Sequence, residues 1–321
     1  MLYPLKFDPI FKYRIWGGEK LKTVLNKEYS ENLIGESWEL SDVPGDISII
    51  NNGEHKGTAL DVLIEKFPNE ILGKSVLQNF GQKFPLLLKF IDAKTPLSIQ
   101  VHPDDALAKE RNDSFGKSEM WHVMQADKDA ELIVGFNKQE TKETYKAAIE
   151  NKEILSLLNS VKVNSGDTFY IPAGRIHAIG AGVLLAEIQQ TSDITYRIYD
   201  YDRVDAKTNK TRDLHTEESL DAIDFEVQDK YISDYSKEEN TPNKLVHSPY
   251  FKTDITFLKN ELVKDYSNRD SFVIYMCVEG KSTVSYNEVN YSLNMGEIIL
   301  LPANIDSVTL NGEAKILEVY L

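Results

Sequence analysis

Two stretches constrain the fold of this chain more than any other feature. SGDTFYIPAGRIH at 165–177 can be laid without gaps on MGEIILLPANIDS at 295–307. Gly166 then falls on Gly296, Asp167 on Glu297, Pro172 on Pro302 and Ala173 on Ala303. In each copy a glycine and an acid mark a turn into a short strand. A proline marks the strand's end, because it has no N–H for a ladder hydrogen bond. A chain that carries turn, strand and stop twice is expected to hold two similar β units. The copies differ at their last position, where His177 falls on Ser307. One unit therefore has a histidine at the mouth of its sheet and the other lacks it.

The surrounding sequence supports a mostly β fold with some α. FPLLLKFID (84–92), PLSIQVH (96–102), EMWHVMQ (119–125), AELIVGF (130–136), VLLAEIQQ (183–190), ITYRIYDY (194–201) and SFVIYMCVEG (271–280) are short, β-branched or aromatic, and bounded by turn residues. Helical patterning fits 59–73, 104–112 and 142–160, the last with apolar residues near a period of 3.6. Such an order is not a βαβ repeat. The polar, proline-containing stretch YSKEENTPNKLVH (235–247) marks a boundary, with a first domain at 1–240 and a second at 241–321.

Charge excludes some functions. The 321-residue chain carries a formal charge of −15, which opposes binding to nucleic acid or to an anionic membrane through its general field. An anionic ligand needs a local basic cluster instead. There is one cysteine, Cys277, so no intrachain disulfide forms. The first residues have no signal-peptide core, and no segment approaches ~20 apolar residues. A cytoplasmic location is the expectation.

The residues that carry chemistry lie at strand ends. In PLSIQVHPDD, residues 96–105, Ser98, Gln100 and His102 alternate with Leu97, Ile99 and Val101, so the polar three share one face. Pro103 stops the strand, and Asp104 and Asp105 read as the cap and first turn of the helix that follows. A lone histidine at a strand end is ordinarily a hydrogen-bonding residue. Here Gln100 and His102 are joined by Glu119, which opens another strand, and by His177. Imidazole nitrogen and carboxylate or amide oxygen together suit zinc or another divalent metal with an open position. His122, three residues after Glu119, faces away from it and reads as a packing residue. His55, His215 and His247 lie in polar, loop-like contexts and receive no role.

Basic residues come next. Lys89 interrupts the aliphatic run LLLKFI, either as a snorkelling edge-strand lysine or as a functional cation. Lys117 lies two before Glu119 and shares its face if the strand begins there. Asp193, Thr195 and Arg197 alternate onto one side of TSDITYRIYDYDR (191–203), as an ion-paired sheet edge or as a pocket wall. If the cations converge, they make the anion site that the net charge otherwise opposes.

IQVHPDD, KSEMWHV, SGDTFYIPAGRIHAI and SDITYRIYDYDR, in that order, resemble the type I mannose-6-phosphate isomerases in their short bacterial form. YRIWGGEKL (13–21) and GESWELSD (35–42) fit the same family. The resemblance implies two cupin-type jelly-roll β-barrels with helices packed on the first. It implies one zinc ion per chain, held by residues matching His102, Glu119 and His177, with Gln100 as a fourth ligand. Arg197, Asp193 and Lys117 match active-site residues, and Ser98, Lys89 and Arg197 are the expected substrate contacts. The implied reaction interconverts mannose 6-phosphate and fructose 6-phosphate through a cis-enediol. The second barrel, with Ser307 in place of a histidine, is expected to lack the metal. The alternatives are a non-enzymatic sugar- or metal-binding cupin, a cupin Fe(II) oxygenase, and an isomerase of a related phosphosugar.

Overall fold

The computed structural model describes residues 2–321. Two antiparallel sheets form the first part of the molecule. One runs through β1 (Ile10–Gly18), β2 (Ile34–Leu40), β3 (Leu86–Ala93), and further strands introduced next. In chain order these are β4 (Ile99–Val101), β5 (Glu119–Ala126), β6 (Glu131–Phe136), β7 (Leu158–Lys162), β8 (Thr168–Ile171), β9 (His177–Ile179), β10 (Val183–Gln190) and β11 (Tyr196–Tyr199). The six-stranded sheet has the order β1-β2-β3-β10-β5-β8, and the five-stranded sheet β11-β4-β9-β6-β7. Their facing sides enclose Trp16, Ile91, Trp121, Val134, Phe169 and Leu185. This is the double-sheet arrangement expected of a jelly roll.

The second part is one bent sheet. β12 (Pro242–His247), β13 (Lys252–Asp265), β14 (Val273–Tyr286), β15 (Val289–Asn294), β16 (Ile298–Leu301) and β17 (Ser307–Tyr320) pair in the order β12-β13-β17-β14-β15, with β16 beside β14. Three of these strands are 14 residues long. They bend along one line, where Asn260 (φ 62°), Gly280 (76°) and Gly312 (143°) lie near one another in the ladder. A Cβ on Gly280 would fall 2.2 Å from the Glu313 carbonyl oxygen, so only glycine lets the strands approach there. The two halves then close over Tyr275, Val284, Leu293, Ile299, Leu310 and Ile316.

The repeat seen in the sequence is reproduced bond for bond. Gly166 N–H donates to Val123 O (2.8 Å) and Gly296 N–H to Cys277 O (2.9 Å). Val123 and Cys277 return the bond to the carbonyls of Asp167 and Glu297. The Asp167 carboxylate accepts from Asn164 N–H, and that of Glu297 from Asn294 N–H. After each proline a turn closes, Arg175 N–H to Pro172 O and Ile305 N–H to Pro302 O. In the first unit Glu119 lies opposite Ile171, and in the second Val273 lies opposite Leu301. The second unit thus has valine and serine where the first has Glu119 and His177.

Helices pack outside the sheets. The expected helix at 59–73 is divided into α1 (Leu60–Lys66) and α2 (Pro68–Leu72), because Pro68 has no N–H and begins a new turn instead. α3 (Lys74–Phe80) follows after Gly73. α4 (Asp105–Asn112) is capped as expected, with the Asp104 carboxylate accepting from Leu107 N–H at 2.8 Å. The expected helix at 142–160 is corrected: α5 (Lys142–Glu150), capped by Thr141, ends at Asn151, and Lys152 turns left-handed. A short 3₁₀ turn leads into β7, which takes hydrogen bonds from the free edge of β6. That pairing overrides the helical composition of 152–160. RIWGG and ESWEL show no clean alternation, yet they lie in β1 and β2. Both faces of β2 are buried, Glu36 and Glu39 included. Among the described residues no helix is long and apolar enough to cross a membrane.

Candidate functional site

β4, β5 and β9 bring three distant residues together. His102 follows β4, Glu119 opens β5 and His177 opens β9, and all three are buried. His102 Nε2 lies 3.5 Å from Glu119 Oε2, and His177 Nε2 lies 3.4 Å from Glu119 Oε1. One ligand atom from each lies within 4.8 Å of the others. The other ring nitrogens fix the tautomers. His102 Nδ1 donates to Ile194 O (2.9 Å) and His177 Nδ1 to Arg175 O (2.7 Å). A carbonyl only accepts, so each Nε2 keeps its lone pair toward the carboxylate. Burial, reinforced by Lys117, holds the His102 imidazolium well below the usual range. Burial likewise pushes His177 down to about 3. Both rings are neutral at neutral pH, the form that ligates metal.

The group fits a divalent ion. Two neutral imidazoles and a carboxylate share one small space, and Glu119 Oε1 is buried with no hydrogen-bond donor. Gln100 stands beside it, its Nε2 3.3 Å from His177 Nε2, and it pairs in register with both His177 and Arg197. The Lys117 ammonium donates to Glu119 Oε2 (2.6 Å) and to His102 Nε2 (2.9 Å).

Gln100 and Lys117 also border a cavity of about 440 Å³. A transverse row of side chains on the six-stranded sheet contributes to its wall. Trp38 pairs with Lys89, Lys89 with Glu187, and Glu187 with Trp121. Lys89 Nζ lies 2.8 Å from Glu187 Oε1, and Trp121 Nε1 donates to Glu187 Oε2 at 2.8 Å. Lys89 is therefore buried on a central strand, and the edge-strand reading is excluded. Burial alone would lower its pKa, but the charges of Glu187 and Glu36 raise it. Glu36 is gripped by Arg14 through two bonds (2.8 and 2.9 Å) and accepts from Trp38 Nε1 (2.7 Å). Burial opposes its ionisation, and Arg14 and Lys89 together hold it well below the carboxylate range.

The opposite wall carries Arg197 and Arg212. Asp193, Thr195 and Arg197 all border the cavity, so the alternation in TSDITYR is a pocket wall. Arg197 donates through Nε to Ser98 Oγ (3.3 Å) and through Nη1 to Asp213 O (3.0 Å), and among the described residues it makes no ion pair. Burial, and then the charge of Arg212, lower its pKa. Arg212 borders the same cavity and shares the Asp200 carboxylate with Arg203. Arg212 is thus ion-paired, whereas Arg197 makes no ion pair among the described residues and keeps its guanidinium available to the cavity.

Sequence reasoning missed several of these residues. His215 lines the cavity and accepts the Arg197 backbone N–H on Nδ1 at 3.1 Å; its loop-like context carries no signal. Arg14, Glu36, Glu187 and Arg212 were also missed. Glu187, an acid inside VLLAEIQQ, gives the same signal as Lys89 inside LLLKFI. His122 packs as expected, its Nδ1 2.9 Å from Thr168 Oγ1. A larger cleft of about 1180 Å³ lies between the N-terminal segment and the bent sheet, and none of His102, Glu119 and His177 borders it.

Comparison with known proteins agrees with this architecture. Residues 5–148 match the model of the phosphomannose isomerase type I catalytic domain, and residues 241–321 that of the mannose-6-phosphate isomerase cupin domain. The chain is 36% identical to the mannose-6-phosphate isomerase ManA of Bacillus subtilis over 99% of both chains. It is 34% identical to the mannose-6-phosphate isomerase of Streptococcus mutans, over 99% of this chain and 98% of that one. Among solved structures, the mannose 6-phosphate isomerase from Bacillus subtilis superposes with a TM-score of 0.90, at 32% identity over 99% of each chain. A putative mannosephosphate isomerase from Archaeoglobus fulgidus shares the fold, with a TM-score of 0.79 at 23% identity.

Proposed function

Because the chain belongs to the type I mannose-6-phosphate isomerase family, we propose that it interconverts mannose 6-phosphate and fructose 6-phosphate through a cis-enediol. The observation that carries this reading is a buried His–Glu–His group in contact with Gln100 and Lys117, two residues of the cavity wall, and across that cavity Arg197, which makes no ion pair among the described residues. The domain at 1–240 holds the whole site, and the domain at 241–321 covers the outer face of the first sheet.

His102, Glu119 and His177 would hold one zinc ion, with Gln100 beside them. When bound, such an ion supplies Lewis-acid polarisation of the sugar oxygens at the reacting carbons. The chain's own groups do the rest. Arg197, with Ser98 and Arg212 beside it, presents guanidinium donors to the anionic end of the substrate. Lys117 and Lys89 place ammonium charge where the carbonyl oxygen becomes negative as the neighbouring C–H proton leaves. Asp193 is the acceptor for that proton. Its carboxylate faces the cavity and makes no ion pair among the described residues, whereas Glu36 and Glu187 are held by cations and indoles. Returning the proton to the adjacent carbon, while the hydroxyl proton passes from one sugar oxygen to the other, completes the exchange between aldose and ketose.

A coupled assay on mannose 6-phosphate tests the reading. Activity that chelation abolishes and zinc restores is expected. Binding of the sugar phosphate without turnover would instead favour a non-catalytic binding protein.

A further inference from the structure

Lys117 stands where two cations would compete. Its ammonium donates to His102 Nε2 and Glu119 Oε2. Both residues belong to the His–Glu–His group that could hold an ion. His102 Nδ1 is committed to Ile194 O, so Nε2 has a single lone pair, and a single lone pair serves one cation at a time. We propose that Lys117 is an internal competitor for the metal. Its ammonium is the counter-ion of Glu119 in the metal-free protein and withdraws when a divalent ion binds, so this lysine sets metal affinity. The inference rests on reading the triad as a metal site.

Electrostatics gives the reason for such a device. Glu119 is fully buried, and its Oε1 has no donor among the described residues. A buried carboxylate that loses its counter-charge is strongly destabilising. A divalent ion and the Lys117 ammonium neutralise the same carboxylate and compete for the one lone pair of His102 Nε2, so they exclude each other there. The side chain also has somewhere to go, because Lys117 borders the 440 Å³ cavity. Loading the metal would turn Lys117 from the partner of Glu119 into a cation facing the sugar phosphate. Metal binding would then arm the substrate cavity in the same step.

Lys117→Met keeps the length of the side chain and removes its charge. Zinc affinity is read by competition with a chromophoric chelator, and melting is followed by circular dichroism on chelator-stripped protein. Expected are a zinc affinity at least about tenfold above wild type and a metal-free melting temperature at least roughly 5 °C lower, recovered on adding zinc. The double variant Lys117→Met/Glu119→Gln, which strands no charge, should melt near wild type without metal even if the single variant fails to fold. An unchanged or weaker zinc affinity in Lys117→Met, or a double variant that melts as low as the single one, overturns the proposal. Wild-type protein that binds no zinc would instead overturn the reading of the triad as a metal site.

Discussion

Arg197→Ala should separate substrate recognition from folding. Among the described residues the guanidinium bonds only to Ser98 Oγ and Asp213 O and makes no ion pair with a carboxylate. Its loss removes two partly solvated hydrogen bonds to neutral acceptors and strands no charge, a cost of about 1–2 kcal/mol to the fold. Against a phosphate or a developing oxyanion the same fork makes two charge-assisted bonds, worth about 1.5–3 kcal/mol each. Together these give about 3–6 kcal/mol, or roughly 10²–10⁴ in kcat/KM at about 1.4 kcal/mol per decade. Steady-state kinetics on mannose 6-phosphate and urea melts of the same preparation give the two numbers. Arg197→Lys should fall between, since it keeps the charge and loses the fork. A kcat/KM within about tenfold of wild type would refute the assignment of Arg197. So would a loss of stability as large as the loss of transition-state binding.

Lys89→Met, unlike Arg197→Ala, should cost the fold heavily as well as activity. It leaves Glu187 buried with only an indole N–H for a partner. A broken buried pair costs about 3–5 kcal/mol, which lowers the melting temperature of a chain this size by about 6 °C or more. A fall of less than about 3 °C would show the pair to be dispensable. His102→Ala and His177→Ala should each lower zinc bound per chain by atomic absorption, and unchanged stoichiometry in both would move the site elsewhere. His122, far from the triad in function, should govern an acid limb of stability. Burial holds it at about 4 against 6.5 in the unfolded chain. Between those values the unfolded state takes up a proton that the native state refuses, so stability falls as pH drops, by about 3 kcal/mol over the window. In His122→Leu that part of the decline should vanish from urea melts at about pH 7 and pH 4.5, and an unaltered decline would exclude His122 as its source.

The sequence was most informative where the physics is local. Asp104 caps α4 because a carboxylate reaches a free N–H three residues on, and no distant residue is involved. Gly166 and Gly296 turn the chain with φ of 95° and 86°, and Pro172 and Pro302 end the strands they follow. It was less informative where an edge strand competes with helix propensity, as at 152–160, and where strands bury charge on a pocket face, as in IGESWEL. There the period-2 pattern vanishes because Glu36 and Glu39 are buried alongside Trp38 and Leu40.

Composition, alternation and the repeat therefore determined that the chain is a duplicated, mostly β molecule with its candidate metal-binding residues at the strand ends of its first unit. Each of those signals depends on neighbours along the chain. Tertiary structure alone decided which groups meet. It set His102, Glu119 and His177 within 4.8 Å of one another from three strands of two sheets. It also neutralised Lys89 and Arg14 with buried acids while leaving Arg197 unpaired, and it placed Lys117 on the lone pairs that a metal would use. A charge in a sequence shows only its sign. Its partner, its burial and its freedom to act are fixed by register and packing between segments far apart in the chain.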